Sequence, residues 1–188
     1  MEAFLVSLST IAVAEIGDRT QLLSLVLVAR YRRPLPIIAG IFCATLANHA
    51  LAASIGVWFG KFIKPGILDA LVGASMIAMA LWTLKPDELE EGAVGISAAG
   101  AFLATLTGFF LAEIGDKTQI ATLALGAAYP HLAAVVAGTT LGMLAANAPV
   151  VLLGKAFADR LPMKGIHYSA SALFAILGAV FLCRALWP

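Results

Sequence analysis

Long apolar runs dominate the chain, and polar residues interrupt them at only a few positions. Runs of about 20 apolar residues are long enough to cross the hydrocarbon core of a bilayer as α-helices. Six such spans are predicted, near residues 4–29, 35–59, 67–84, 97–127, 132–153 and 166–187. The fourth run exceeds the length that a bilayer requires, which indicates a tilted helix or an interfacial start. The pattern therefore predicts an all-α integral membrane protein with six transmembrane helices.

The composition supports a membrane location. Of the 188 residues, 61% are hydrophobic and only 12% are charged, and the mean hydropathy is +0.96. Soluble domains average about 25% charged residues, so the lipid bilayer is the expected partner of this surface. The formal net charge is +1 without a basic block, so no nucleic-acid partner is expected. Oligomeric state is left open.

An octapeptide occurs twice, as Ala-Glu-Ile-Gly-Asp-Arg-Thr-Gln at 14–21 and as Ala-Glu-Ile-Gly-Asp-Lys-Thr-Gln at 112–119. The offset of 98 residues continues beyond these motifs, where Phe4 corresponds to Phe102 and Tyr31 to Tyr129. The match predicts two three-helix repeats at 1–84 and 97–188, joined by an acidic connector at 85–96. Because three is odd, the second repeat must enter the membrane in the opposite sense. Inverted repeats are typical of transporters, with the substrate site near the midplane where the repeats meet.

Lys and Arg residues in short loops predict the orientation, because they favour the cytoplasmic side. One side carries seven of them: Arg30, Arg32, Arg33, Lys85, Lys155, Arg160 and Lys164. The other side carries three: Lys61, Lys64 and Arg184. The richer side is predicted to be cytoplasmic, so both termini are expected outside it.

The two motifs place ionisable groups inside the apolar runs. A charge at the bilayer centre costs about 2.5–3.5 kcal/mol on insertion scales, so such groups are functional candidates by default. On a continuous helix, positions three and four apart share a face, which would project the three charges of each motif together. Joined at the repeat interface, the motifs offer four carboxylates and two cations. The resulting balance suits one divalent cation, or two protons in its place.

The predicted ligands of this cation are all oxygens: Glu15, Asp18, Thr20, Gln21, Glu113, Asp116, Thr118 and Gln119. Hard oxygen sites favour Ca²⁺, Mn²⁺ or Mg²⁺, and the reluctance of Mg²⁺ to lose water leaves Ca²⁺ and Mn²⁺. Metal and protons compete for the same carboxylates, which predicts cation/proton exchange. The ion is cargo, and neither a resident cofactor nor a catalytic residue is expected.

Other polar groups in the apolar runs have predicted supporting roles. Arg19 and Lys117 are expected to balance charge, or alternatively to hold the two Asp carboxylates. Gly17 and Gly115 would allow close approach of an ion or local unwinding of the helix. A last set is a candidate for proton relay or for support of the ligands: Asn48, His49 and Asn147. For His49 the alternative is a hydrogen bond that bridges two helices.

The doubled Glu-x-Gly-Asp-(Lys/Arg)-Thr motif resembles the second calcium:cation antiporter family, which includes Golgi and chloroplast Mn²⁺/Ca²⁺ transporters and bacterial manganese exporters. The resemblance covers nearly the whole chain. It implies export of Mn²⁺ and/or Ca²⁺ in exchange for protons by alternating access, at a bacterial inner membrane, with Mn²⁺ favoured. It transfers site roles to these positions: Glu15, Gly17, Asp18, Arg19, Thr20, Glu113, Gly115, Asp116, Lys117 and Thr118.

Three other interpretations were weighed against this one. The motifs could serve only as polar contacts between helices, but each carries two acids for one base. Export of a small organic cation or amino acid is the runner-up, although two near-identical acidic motifs fit an inorganic ion better. An intramembrane aspartyl protease is a remote alternative, because a base follows each Asp, whereas an aspartic dyad shares one proton.

Overall fold

The computed structural model describes residues 1–84, 100–154 and 162–187, and within these ranges every regular element is an α-helix. The helices are α1 (Glu2–Glu15), α2 (Arg19–Tyr31), α3 (Pro34–Gly60), α4 (Pro65–Thr83), α5 (Gly100–Glu113), α6 (Lys117–Ala128), α7 (Leu132–Leu153) and α8 (Met163–Leu186). The predicted connector at 85–96 lies outside the described residues. The all-α prediction is confirmed for the described part of the chain.

Among the described helices, four are long and apolar enough to cross a membrane. They are α3, α4, α7 and the Gly165–Leu186 part of α8. Their surfaces carry exposed large apolar side chains such as Leu51, Trp58 and Ile176, whereas Thr45, Asn48 and Asn147 are buried. Apolar residues outside and polar residues inside suit a chain whose solvent is lipid.

The expected spans at 4–29 and 97–127 are each divided into two helices at the repeated motif. α1 ends at Glu15 and α2 begins at Arg19, and the same break separates α5 from α6. The cause is glycine, because Gly17 has φ +85° and Gly115 has φ +76°. This left-handed conformation cannot continue a right-handed helix and is accessible to glycine without a Cβ clash. The expectation of one continuous helix is therefore wrong, and local unwinding is what occurs.

Helix starts recur at the offset of 98 residues. Residues 100, 117, 132 and 163 begin α5 to α8, and residues 2, 19, 34 and 65 begin α1 to α4. The match extends to the last helix of each half, where sequence similarity is only loose. The two halves interleave, because α1 packs on α7, α5 packs on α3, and α4 packs on α8.

Glycines bring these helix pairs into backbone contact. A Cβ built on Gly138 would lie 2.5 Å from the Phe4 carbonyl oxygen, and one on Gly142 would lie 2.7 Å from that of Leu8. The order of these contacts means that α1 and α7 run in the same direction. α3 and α5 also run together, since Gly40 lies against Phe102 and Asn48 bonds to Phe110.

Candidate metal-binding site

Each of the two helix breaks places an aspartate at the start of the helix that follows it. Asp18 and Asp116 are the N-cap residues of α2 and α6, with extended backbones at ψ 167° and ψ 160°. Asp116 Oδ2 accepts hydrogen bonds from the backbone N–H of Thr118 at 3.3 Å and from its hydroxyl at 3.0 Å. A side-chain cap of this kind satisfies a backbone donor that the first helical turn leaves without a partner.

The glutamine of each motif supports the unwound backbone. Gln21 Oε1 accepts a hydrogen bond from the Gly17 N–H at 3.0 Å, and Gln119 Oε1 accepts one from the Gly115 N–H at 2.8 Å. Gln21 Nε2 also donates to the Ala146 carbonyl at 3.2 Å. The amide oxygens predicted as ion ligands therefore have a structural partner, because the breaks expose backbone donors in a buried region.

The charged pairs cross between the two motifs. Arg19 Nη2 lies 2.9 Å from Asp116 Oδ1, and Lys117 Nζ lies 2.7 Å from Asp18 Oδ1. The Lys117–Asp18 pair is fully buried, whereas the Arg19 side chain is 28% exposed. Each base thus holds the acid of the other motif, so the two octapeptides meet even though 98 residues separate them. The shared face expected within one motif is lost because the helix breaks between the acids.

Three of the four motif acids converge. Glu15, Asp18 and Asp116 are buried, and one carboxylate oxygen from each lies within 4.8 Å of the others. Thr20 donates its hydroxyl hydrogen to Glu15 Oε2 at 2.5 Å. Glu15 Oε1 has no hydrogen-bond partner among the described residues. With Arg19 and Lys117 alongside, three carboxylates and two cations form a cluster that retains a formal negative charge.

The fourth acid, Glu113, lies outside this group of three. Its Oε1 accepts a hydrogen bond from the Thr45 hydroxyl at 3.0 Å, and its Oε2 faces His49 Nε2 at 3.6 Å. Thr45 was missed at the sequence level. The signal was available, because Thr45 lies one helical turn before His49 on the same face of α3.

Two buried amides bridge helices by hydrogen bonds, whereas the bridging hydrogen bond considered for His49 does not form with any described residue. Asn48 Nδ2 donates to the Phe110 carbonyl at 3.0 Å, and Asn147 Oδ1 accepts from the Ser24 hydroxyl at 2.9 Å. Ser24 is a further residue that sequence reasoning missed. His49 is fully buried, and neither ring nitrogen has a hydrogen-bond partner among the described residues.

A groove reaches the second helix break from outside. It has a volume of about 310 Å³ and lies between α3, α5 and α6, with these residues among its lining: Asn48, Phe110, Ile114, Gln119 and Leu123. Gly115 is exposed beside it, whereas Gly17 of the first break is buried. The two breaks therefore differ in accessibility although their sequences are almost identical.

Comparison with known proteins places these features in a family. The family model described as "Divalent cation/proton antiporter GDT1" matches residues 3–91 and 101–187. The chain is 53% identical over 178 residues to the "Putative manganese exporter" of Vibrio cholerae, an alignment that covers 94% of this chain and 88% of that protein.

More distant relatives extend the same match. A GDT1-like protein of Synechocystis is 28% identical over 200 residues, with 96% of each chain covered. The chloroplast protein PAM71 of Arabidopsis thaliana is 38% identical over 98 residues, which are 52% of this chain and 26% of that protein. No solved structure matches the chain. The matched motifs, the apolar helices and the family model agree, and the chain belongs to the GDT1 family of divalent cation/proton antiporters.

Proposed function

We propose that this protein exports Mn²⁺ and/or Ca²⁺ from the cell in exchange for protons, by alternating access. The observation that carries the proposal is the buried convergence of Glu15, Asp18 and Asp116, whose oxygens lie within 4.8 Å of one another. Buried carboxylates are costly unless they are paired or bind a cation. The family match supports a divalent cation as the cargo, and the Vibrio cholerae relative supports Mn²⁺.

Charge balance explains why exchange suits this site better than one-way movement. Two of the three acids already have a cation as partner, so the cluster retains one negative charge. A divalent ion would bind with help from Glu113, the remaining motif acid. After release, protons replace the ion on the same oxygens, because bare carboxylates are expensive to carry through a low-dielectric barrier. The metal and the protons would therefore occupy the site in turn.

The architecture proposed for this cycle has six crossings in two inverted repeats. α1 with α2, and α5 with α6, would each cross the membrane as one broken helix, alongside the four long helices. Support comes from the helix starts that recur every 98 residues and from the parallel courses of α1 with α7 and of α3 with α5. Helices interrupted near the midplane form ion sites in many transporters of inverted-repeat design.

The proposed roles follow the contacts of each side chain. Glu15, Asp18 and Asp116 supply ligand oxygens, and Arg19 and Lys117 neutralise the acids while no ion is bound. Thr20 and Thr118 orient carboxylates through their hydroxyls. Gln21 and Gln119 keep the breaks open by capping the glycine backbone. The crossed pairs also argue against proteolysis, because each Asp has its own cation and an aspartic dyad must share a proton.

The test is flux in proteoliposomes with an imposed pH gradient, with Mn²⁺ and Ca²⁺ compared side by side. We expect metal movement that dissipates the gradient and is abolished by Glu15→Gln or Asp116→Asn. Asp69→Asn is the matched control, because it makes the same acid-to-amide change in α4, away from the motifs. Metal movement that leaves the gradient intact would refute proton exchange. No metal movement by folded protein would favour an exporter of organic cations or amino acids.

A further inference from the structure

The second buried cluster, Glu113 with His49 and Thr45, has polar atoms that its surroundings do not satisfy. His49 is fully buried in α3, and both of its ring nitrogens lack a hydrogen-bond partner among the described residues. Glu113 Oε2 also lacks one. A buried polar group without a partner loses its hydrogen bonds to water and gains none in return, and the rarity of such groups means that each needs an explanation.

The distance between the two unsatisfied atoms is informative. His49 Nε2 and Glu113 Oε2 are 3.6 Å apart, which is too long for a hydrogen bond. Metal–ligand bonds of about 2.0–2.6 Å place adjacent ligand atoms about 2.8–3.7 Å apart when the angle at the metal is near 90°. The gap therefore matches a pair of atoms that share an ion.

The rest of the cluster is already held in place. The Thr45 hydroxyl donates to Glu113 Oε1 at 3.0 Å, which leaves Oε2 directed at the histidine. Asn48, the neighbour of His49 in α3, bonds to the Phe110 carbonyl at 3.0 Å and ties α3 to α5. Ligand atoms that are fixed before the ion arrives lose little freedom when they bind it.

At the equivalent position in the other repeat, the polar side-chain atoms have hydrogen-bond partners. Asn147 lies 98 residues after His49, and both ends of its amide have partners. Its Oδ1 accepts from Ser24 at 2.9 Å, and its Nδ2 donates to the Met143 carbonyl at 3.2 Å. The unsatisfied imidazole is therefore a property of one repeat and not a general consequence of the fold.

We propose that His49 Nε2 and Glu113 Oε2 form a nitrogen–oxygen subsite for the transported cation, and that the imidazole makes the protein prefer Mn²⁺ to Ca²⁺. Ca²⁺ takes oxygen ligands. Mn²⁺ also prefers oxygen, but as a first-row transition metal it accepts a nitrogen ligand beside its oxygens more readily than Ca²⁺ does. The oxygens of Glu15, Asp18 and Asp116 have no such preference. This inference rests on the proposed function and extends it, because it assigns the choice between two ions to one side chain.

Pulsed electron paramagnetic resonance of bound Mn²⁺ tests the subsite without any transport assay. In purified protein we expect hyperfine coupling of Mn²⁺ to ¹⁴N, and we expect His49→Asn to abolish it. His131→Asn is the matched control, because His131 is exposed at the start of α7, and it should leave the coupling unchanged. Bound Mn²⁺ without nitrogen coupling would overturn the proposal, as would coupling that persists in His49→Asn.

Flux measurements test selectivity. We expect His49→Asn to weaken the apparent affinity for Mn²⁺ by about tenfold or more, while that for Ca²⁺ changes far less. Equal losses for both ions would overturn the selectivity role, and an unchanged Mn²⁺ affinity would do the same. If the parent protein shows nitrogen coupling but moves no metal against protons, the subsite stands and the exchange function fails.

Discussion

At the scale of single residues, the crossed ion pairs connect the two motifs. Lys117 and Asp18 pair out of contact with solvent, whereas the Arg19 side chain of the other pair is 28% exposed. Removing one partner of a buried pair leaves an uncompensated charge in low dielectric. Where water reaches the pair, solvent screens the remaining charge and reduces the loss. The two pairs should therefore differ in their contribution to stability.

We predict that Lys117→Met lowers the free energy of unfolding by about 3–5 kcal/mol and that Arg19→Met lowers it less. Unfolding of the purified protein in detergent, without divalent cations, would measure both changes. The double variant Arg19→Lys with Lys117→Arg is the control, because it keeps one cation at each position. Equal losses, or a larger loss for Arg19→Met, would contradict the prediction.

The sequence identified the residues proposed for the site, but it did not predict which of them contact one another. The motif identified the acids, the bases and the glycines, because ionisable groups in apolar runs are conspicuous. It did not reveal that three acids converge while Glu113 turns to Thr45 and His49. That division depends on where α3 passes α5, which no local pattern encodes.

At the scale of elements, glycines determine both the helix breaks and the closest helix contacts. A Cβ on Gly142 would meet backbone atoms of α1, whereas one on Gly165 of α8 would meet nothing within 4 Å. Backbone atoms cannot move aside for a new methyl group as the end of a flexible side chain can. The same substitution should therefore have opposite effects at these two helical positions.

We predict that Gly142→Ala destabilises the protein by about 1–3 kcal/mol, as overpacking does. Gly165→Ala should be neutral or stabilising by up to about 1 kcal/mol, because alanine favours helix. Thermal unfolding of both variants beside the parent protein would check this. A neutral Gly142→Ala would mean that α1 and α7 are less closely packed than their glycine contact indicates.

The apolar pattern predicts where the two motif-containing runs lie, but it does not predict the break inside each of them. Hydropathy located both runs but could not divide them, because apolar residues continue on each side of Gly17 and Gly115. Glycine also occurs inside intact helices here, as at Gly40 and Gly56. Only the positive φ, held by a glutamine that caps the glycine N–H, distinguishes the breaks.

For the molecule as a whole, the Lys and Arg residues of the loops predict an orientation in the membrane. The α2–α3 turn carries Arg32 and Arg33, and the α3–α4 turn carries Lys61 and Lys64. Because α3 is long enough to span a bilayer, these turns should lie on opposite sides. These two turns carry equal charge, but over all the loops the side of the α2–α3 turn has seven Lys and Arg residues and the other side has three. The richer side favours the cytoplasm, which predicts that the α2–α3 turn lies inside.

We therefore predict that Phe62→Cys reacts with a membrane-impermeant thiol reagent in intact cells, and that Arg33→Cys reacts only after the membrane is disrupted. Both native residues are exposed in their turns. The background should carry Cys43→Ser and Cys183→Ser, since both native cysteines are exposed. Labelling with the opposite preference would reverse the proposed orientation.

The amino-acid sequence alone predicts the membrane class, the all-helical character, the duplicated motif and the residue types of the proposed ion site. These are properties of residue type and order, and the energy of burying a side chain in lipid depends mainly on them. Which of these residues contact one another depends on the tertiary structure. In the folded chain, Arg19 pairs with Asp116 and Lys117 pairs with Asp18. Three of the motif acids lie close together, and His49 lies beside Glu113. Such contacts form only where helices that are distant in the sequence pack closely against one another. The close packing depends on the glycines at the helix contacts and on the directions in which the helices run.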